Sequence, residues 1–206
     1  MVDLVKKYKC VGNPFIMESI DDGTDSSKLE YHGRGESVYA EGRQVLVRSC
    51  NDALVAYEPK DGERGIILIR RKAEPAKGYL WPLGGEIARG IPISNSLASR
   101  VKIESGLDVD EESIVFLGQS RAMWGKTPHP NPEGKNLPLG IDDACTLFYC
   151  EGRGNLNLDE LHESPLIVIP EMYASGLGEK LHEYVKMGMD RAIPLLMHSR
   201  SLEFSD

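Results

Sequence analysis

Two adjacent glycines, Gly84 and Gly85, stand between a predicted β-hairpin and a predicted helix, and this order restricts the fold more than any other feature. The hairpin strands are predicted at 53–57 and Gly65–Arg71, where β-branched and aromatic residues flank a turn-forming Pro-Lys-Asp-Gly segment. The helix is predicted at 94–105, where apolar residues recur at helical spacing and Gly106 follows as a C-terminal stop. A hairpin, a helix and then further strands predict a mixed α/β domain.

The whole chain is predicted to divide into an N-terminal extension and one domain. Residues 1–45 are predicted to be loop and strands, and 46–206 to be the domain. Further strands are predicted at 113–118, 144–150 and 166–169, and further helices at 170–175 and 179–191. The stretch 125–140 is rich in Pro and Gly and is too long for a simple connector, so it is a candidate loop over a substrate.

Composition restricts the partners. The net charge of -8 provides no broad basic surface for a nucleic-acid polymer, although a local pocket can still hold a small phosphorylated ligand. No stretch reaches the roughly 18 apolar residues of a membrane span, and the N-terminus lacks a secretory apolar run, so we expect a cytoplasmic protein. Cys10, Cys50, Cys145 and Cys150 lack the paired spacing of a zinc site and are expected to be buried thiols.

The segment from Gly85 to the end of the predicted helix resembles the Nudix box, G-x5-E-x7-R-E-U-x-E-E-x-G-U, in which U is aliphatic. Val101, Glu104, Gly106 and Leu107 match this frame without a gap. The resemblance implies a Nudix-type α/β/α sandwich with a mixed sheet, here with an N-terminal strand extension. It also implies a small-molecule nucleotide substrate.

The charged positions of the box have mostly been replaced. Ile91, Ser99, Arg100 and Ile103 stand where the family has Glu, Arg, Glu and Glu, and only Glu104 remains. The resemblance implies that Glu104 and the carbonyl of Gly84 bind Mg²⁺ or Mn²⁺. Because a hard cation needs several oxygen ligands, we expect weak metal binding, and Arg100 is spaced to pair with Glu104.

Three separated segments resemble the GDP-mannose mannosyl hydrolase branch of the family, which also lacks most box glutamates. The run from Arg71 through Pro-Ala-Lys-Gly-Tyr to the two glycines is one, Gly-Gln followed by Trp124 is the second, and Asp-Glu-Leu-His ending at His162 is the third. The resemblance implies His162 as general base, Arg71 and Lys126 as cations for the diphosphate, and a further active-site carboxylate. The residues it implies for catalysis or substrate binding are His162, Arg71, Lys126, Asp52, Trp124 and Tyr79.

The expected activity is therefore Mg²⁺-dependent hydrolysis of a nucleoside diphosphate linked to another group, such as a nucleotide sugar. The alternative is a Nudix-fold nucleotide-binding or regulatory protein that has lost catalysis. Taken singly, Glu104 also suits a solvated helix carboxylate, His162 a surface histidine and Trp124 a core residue. The sequence leaves open the nucleobase, the sugar, attack at carbon or phosphorus, and a homodimer contact through the N-terminal strands.

Overall fold

A computed structural model describes residues 46–124, 141–160 and 162–203, and three two-residue strands nearer the N-terminus. Those strands are β1 (Lys6–Lys7), β2 (Lys9–Cys10) and β3 (Met17–Glu18). Strand β1 pairs antiparallel with β3. The predicted boundary between an extension and a domain near residue 45 stays a prediction.

The centre of the fold is an eight-stranded sheet. The sheet contains β2 and seven further strands. These are β4 (Arg48–Tyr57), β5 (Gly65–Arg71), β6 (Leu80–Trp81), β7 (Leu83–Glu86), β8 (Asp108–Trp124), β9 (Ile141–Arg153) and β10 (His162–Val168). The order along the sheet is β10-β5-β4-β9-β8-β2, with β6 paired to β5 and β7 to β4. The β4–β9 and β2–β8 pairs are parallel and the others are antiparallel, which confirms the predicted mixed sheet.

The helices lie on both faces of this sheet. Helix α1 (Ile93–Ser105) ends at Gly106, which has φ of 74° and donates its N–H to the carbonyl of Lys102, as the predicted stop requires. Helix α2 (Pro170–Met172) continues into a wide turn at Tyr173–Leu177 and a 3-10 turn at Gly178–Lys180. Helix α3 (Glu183–Glu203) is the last described element.

Alternation along the strands produces two apolar layers. Leu54, Leu68 and Leu147 pack with Met189 and Leu196 of α3. Neighbouring strand residues point the opposite way, and Val55, Ile67, Ile69 and Phe148 pack with Leu97 and Val101 of α1. The period of two places successive side chains on opposite faces, so one sheet supplies both layers. The predicted α/β class with helices on both faces is confirmed.

Several predicted boundaries differ from the structure. Strand β8 runs from Asp108 to Trp124 rather than 113–118. Its register with β9 shifts between Asp110 and Val115 and again between Phe116 and Gly118. The last helix was predicted to end at 191 but continues past Pro194, because Ala192, Ile193 and Leu196 are buried and packing holds that turn. The glycine segment, Gly84 and Gly85, which lies between the predicted hairpin and the predicted helix, forms part of β7, because these glycines are register partners of Asp52 and Asn51 of β4.

In the part of the chain that the structure describes, none of the helices combines the length and apolar character needed to cross a lipid bilayer. The candidate loop 125–140 lies outside the described residues.

Candidate active site

A cleft with about 450 Å³ of empty space opens beside the edge where β7 meets β4. Its floor is formed by side chains from β4, β8 and β9, and its walls by residues of the glycine segment and the start of α3. The lining residues are Arg48, Cys50, Asp52, Arg71, Pro75, Trp81, Gly84, Gly85, Ser120, Ala122, Trp124, Asp143, Cys145 and Tyr184.

Asp52 is a buried carboxyl group on the cleft floor, with 5% of its surface exposed. Its Oδ2 accepts a hydrogen bond of 2.8 Å from the Tyr184 hydroxyl. Burial raises the pKa of Asp52 to about 6, and the Tyr184 hydrogen bond and the Arg71 charge only partly oppose this. Asp52 is therefore an acid–base group near neutral pH.

Glu104, near the end of α1, reaches the glycine segment. Its Oε2 accepts a hydrogen bond of 2.9 Å from the Gly84 N–H. Burial raises the pKa of Glu104 to about 7; the hydrogen bond from Gly84 opposes this, while the charges of Asp159 and Asp52 add to it. Three carboxyl groups thus interact electrostatically at this end of the cleft.

His162 and Asp159 form a second polar pair beside Glu104. His162 is buried, and its Nδ1 lies 2.5 Å from Oδ1 of Asp159. The backbone N–H of Asp159 donates to the carbonyl of Glu104 at 3.0 Å, so the end of α1 fixes the segment that carries the pair. In the sheet, His162 is the register partner of Arg71.

Two arginines line the cleft and differ in their partners. Arg48 makes two hydrogen bonds, of 2.8 and 2.7 Å, to the carboxylate of Asp143. The Nε of Arg71 is buried and has no hydrogen-bond partner in the described part of the chain. A buried donor without a partner is costly, so Arg71 is suited to receive an anionic group.

Aromatic rings form one wall of the cleft. Trp81 and Trp124 meet edge to face with centroids 5.9 Å apart, and Tyr184 lies 5.3 Å from Trp81. His182 lies among Tyr79, Trp81 and Trp124, with centroids 5.3 to 5.7 Å away. These rings pack at angles to one another and give the cleft an aromatic side next to the polar side chains of Arg48, Asp52 and Asp143.

The structure brings most of the sequence-predicted residues together. Asp52, Arg71, Gly84 and Trp124 line the cleft, and Glu104 contacts Gly84. His162 adjoins Arg71 in the sheet but is not among the lining side chains. Tyr79 is half exposed and contacts His182 instead of lining the cleft. Lys126 lies outside the described residues.

Sequence reasoning missed several contributors. Tyr184 lies in the first turn of α3 and His182 directly precedes that helix, and no local pattern pairs them with Asp52 or Trp124. Asp159 could have been found, since it precedes His162 by three residues in the Asp-Glu-Leu-His run. The expected Arg100–Glu104 pair is not formed: the Arg100 side chain lies beside Gly85, and Glu104 accepts from Gly84.

Within residues 46–124, 141–160 and 162–203, no group of three or more His, Cys, Asp or Glu side chains is arranged to hold a metal ion.

The raised pKa values of Asp52 and Glu104 predict that stability depends on pH. Both pKa values lie above the ordinary values of 3.8 and 4.5, so the folded state binds more protons than the unfolded state between about pH 4 and 7. The contribution of the two protonated carboxyl groups to the free energy of unfolding is fully present below pH 4. It is lost as pH rises through 6 and 7, and the loss for Glu104 is about 3 kcal/mol. Urea unfolding at pH 5 and pH 8, with divalent metals chelated, measures the difference.

A matched pair of variants isolates the Glu104 contribution. Glu104→Gln removes the titrating group, so the decline between pH 5 and 8 becomes smaller. Exposed Glu58→Gln makes the same chemical change outside the cleft and leaves the decline unchanged. An equal decline in Glu104→Gln and the unsubstituted chain would contradict the assignment.

No protein-family model matches the chain, and no curated protein matches it either. Among solved structures, it is similar to a MutT Nudix hydrolase from Burkholderia pseudomallei at 18% identity, covering 59% of this chain and 81% of that one, with a TM-score of 0.42. A MutT protein from Methanosarcina mazei Go1 gives 17% identity, 70% and 91% coverage, and a TM-score of 0.49. An Ap4A hydrolase from C. elegans gives 13% identity, 77% and 100% coverage, and a TM-score of 0.42.

Proposed function

We propose that the chain is a Nudix-type hydrolase of a nucleoside diphosphate linked to another group, with a nucleotide sugar as the leading substrate class. The observation that carries the proposal is the contact between Glu104 and Gly84. Glu104 holds the last glutamate position of the box frame that the sequence resembles, and Gly84 directly precedes the first residue of that frame. The His162–Asp159 pair and Arg71 adjoin them.

The charge distribution supports an anionic substrate. Arg48 is occupied by Asp143, whereas Arg71 keeps a buried Nε without a partner in the described residues. Arg71 lines the cleft, so its guanidinium group would stabilise the negative charge that develops on a diphosphate leaving group. Trp124, which meets Trp81 edge to face, supplies an apolar ring in the cleft against which a ring of the same substrate would pack.

His162 is proposed to take the proton from the attacking water. The carboxylate of Asp159 contacts Nδ1 of His162 and so orients the ring. Nε2 is then the nitrogen that accepts the proton from water. A base needs a nitrogen free of other bonds, and a carboxylate behind the ring stabilises the imidazolium that forms. Glu104, whose pKa is raised to about 7 by burial, is the competing base.

Magnesium or manganese belongs to the same proposal. Glu104 interacts with the charges of Asp159 and Asp52, so this end of the cleft carries negative charge that favours a cation. Magnesium is commonly bound by one or two carboxylates together with substrate phosphates, which suits a site whose protein ligands are few. Glu104 and the Gly84 carbonyl would hold the ion, and the ion would neutralise charge on the diphosphate.

The direct test is hydrolysis of a panel of nucleoside diphosphate sugars, with Mg²⁺, with Mn²⁺ and with a chelator. Product analysis then separates the two sites of attack: a free sugar and a nucleoside diphosphate indicate attack at carbon, whereas a sugar phosphate and a nucleoside monophosphate indicate attack at phosphorus. Absence of metal-dependent turnover across the panel would contradict the hydrolase proposal.

Replacing Arg100 by Glu is expected to strengthen Mn²⁺ binding. The change restores a carboxylate at a box position four residues before Glu104 and removes a cation beside Gly85. We expect about a tenfold lower dissociation constant in calorimetric titration, equivalent to roughly 1.4 kcal/mol.

Lys102→Glu is the matched control, because it makes the same change of charge on the same helix at a residue that pairs with Asp108. Equal effects of the two variants would show general electrostatics rather than a metal site. Unchanged affinity in a folded Arg100→Glu protein would place the metal elsewhere.

A second candidate function is nucleotide binding without hydrolysis. The observation that favours it is the Arg100 side chain beside Gly85, where the box resemblance expects a carboxylate. A binding protein gains thermal stability from a nucleotide sugar while no product forms, whereas an enzyme gives both binding and metal-dependent product.

A further inference from the structure

Two cysteines on neighbouring strands lie side by side on the cleft floor. Cys50 of β4 and Cys145 of β9 are direct register partners in a parallel pair, and both line the cleft. Both are free thiols, with exposed fractions of 3% and 7%. A hydrogen bond to Cys50, together with burial, raises the pKa of the Cys145 thiol.

The positions of the two residues suit a covalent bond. Neighbouring strands lie about 4.8 Å apart, which falls inside the roughly 4.4 to 6.8 Å that separates the Cα atoms of a disulfide. The parallel register already places the two residues directly opposite each other. The cleft supplies what buried cysteines usually lack, which is a route for a small reagent from solvent.

Cys150 provides an internal comparison. It is the register partner of Val55 and is fully buried in the apolar layer on the α1 side of the sheet. It lies on the same strand as Cys145 but is not among the cleft residues. A small reagent that enters the cleft should therefore react faster with Cys145 than with Cys150, because only Cys145 lines the cleft.

We propose that Cys50 and Cys145 are a modification site in which a small hydroperoxide forms a reversible disulfide. The Cys50 thiolate attacks the terminal peroxide oxygen, the O–O bond breaks, and Cys50 becomes a sulfenic acid as an alcohol or water leaves. The Cys145 sulfur then attacks the sulfenic sulfur, and water leaves with the Cys145 proton. Two thiols lose two electrons and the hydroperoxide gains them.

The disulfide would alter the cleft without needing any particular substrate. Along β4 and β9, the thiol pair lies between the Arg48–Asp143 pair and Asp52. Bond formation draws the sulfurs to about 2.05 Å and removes both S–H groups from the floor. This inference is independent of the proposed function, because a cleft with any occupant presents the same two sulfurs.

The test uses the full chain with Cys10→Ser, which leaves three cysteines. The folded, reduced protein is treated with hydrogen peroxide and mapped by mass spectrometry without reduction. We expect a Cys50–Cys145 linked peptide that disappears with dithiothreitol, and loss of these thiols about tenfold faster than loss of Cys150. Equal loss of all three thiols, or linkage of Cys150 in place of either cleft cysteine, would overturn the proposal.

Serine variants provide the matched controls. Cys50→Ser and Cys145→Ser each abolish the linked peptide, whereas Cys150→Ser retains it. An arsenical that condenses with two neighbouring thiols, phenylarsine oxide, provides a second measurement on the Cys10→Ser protein alone. One equivalent should bind to the reduced folded chain and none after peroxide treatment; no binding to the reduced chain would refute the pairing of the sulfurs.

Discussion

Replacing His162 by alanine is expected to lower kcat on a hydrolysed nucleotide sugar by about 10² to 10⁴-fold while KM changes little. Under the proposed mechanism, the variant loses the base that Asp159 orients, while Arg71 and Trp124 remain in the cleft to bind the substrate. Because His162 is buried, the folded state of the variant must be checked by its unfolding transition before rates are compared. Steady-state kinetics at saturating metal give both parameters.

Two further variants define the role of His162. Exposed His198→Ala removes a histidine on α3 and leaves the rate unchanged. Asp159→Asn keeps the size of its partner but removes the charge, so it should lower kcat less than His162→Ala and shift the pH dependence of the rate. Near-full turnover by folded His162→Ala would assign the proton transfer to Glu104 instead.

Gly84→Ala is expected to destabilise the fold by about 3 kcal/mol and to abolish measurable turnover. Gly84 has φ of 151°, which side chains rarely adopt. An added Cβ would lie 2.2 Å from the Asn51 carbonyl oxygen and 2.6 Å from both Cα and Oδ1 of Asp52. Since two of these atoms belong to the backbone of β4, the strand itself would have to move.

Gly85→Ala is the matched control, one residue further along β7. There the nearest atoms belong to the flexible Arg100 side chain, at 3.7 Å or more. Urea unfolding should therefore show a much smaller change, within about 1 kcal/mol. If Gly84→Ala were as stable as Gly85→Ala, the close approach of β7 to Asp52 would be wrong.

The sequence predicted those parts of the fold that depend on local pattern. The hairpin of β4 and β5 and the stop of α1 at Gly106 follow from turn residues, alternation and a left-handed glycine. Strand lengths were less accessible: β8 and β9 continue well beyond their apolar stretches because they pair with each other along most of their length. Such pairing depends on the partner strand and leaves little local signal.

The candidate site divides in the same way. Glu104 was predicted from the box frame and Gly84 from the glycine pair at its start, and the structure places the two residues in contact, while their predicted metal binding stays a prediction. The Tyr184–Asp52 hydrogen bond joins residues 132 positions apart, and the Cys50–Cys145 neighbours arise only from the parallel pairing of β4 and β9. The Arg100–Glu104 pair was expected from helical spacing alone. In the structure, Arg100 lies beside Gly85 and Glu104 accepts a hydrogen bond from Gly84.

The hydrogen bond between Tyr184 and Asp52 also links ligand occupancy to the C-terminal helix. Tyr184 lies in the first turn of α3 and lines the cleft. A molecule that contacts Tyr184 in the cleft therefore binds only while this turn is packed against the sheet. By mass action, the ligand stabilises the docked helix as it stabilises the folded chain. Amide protons of α3 should therefore exchange more slowly when the cleft is filled, even where the helix itself touches no ligand.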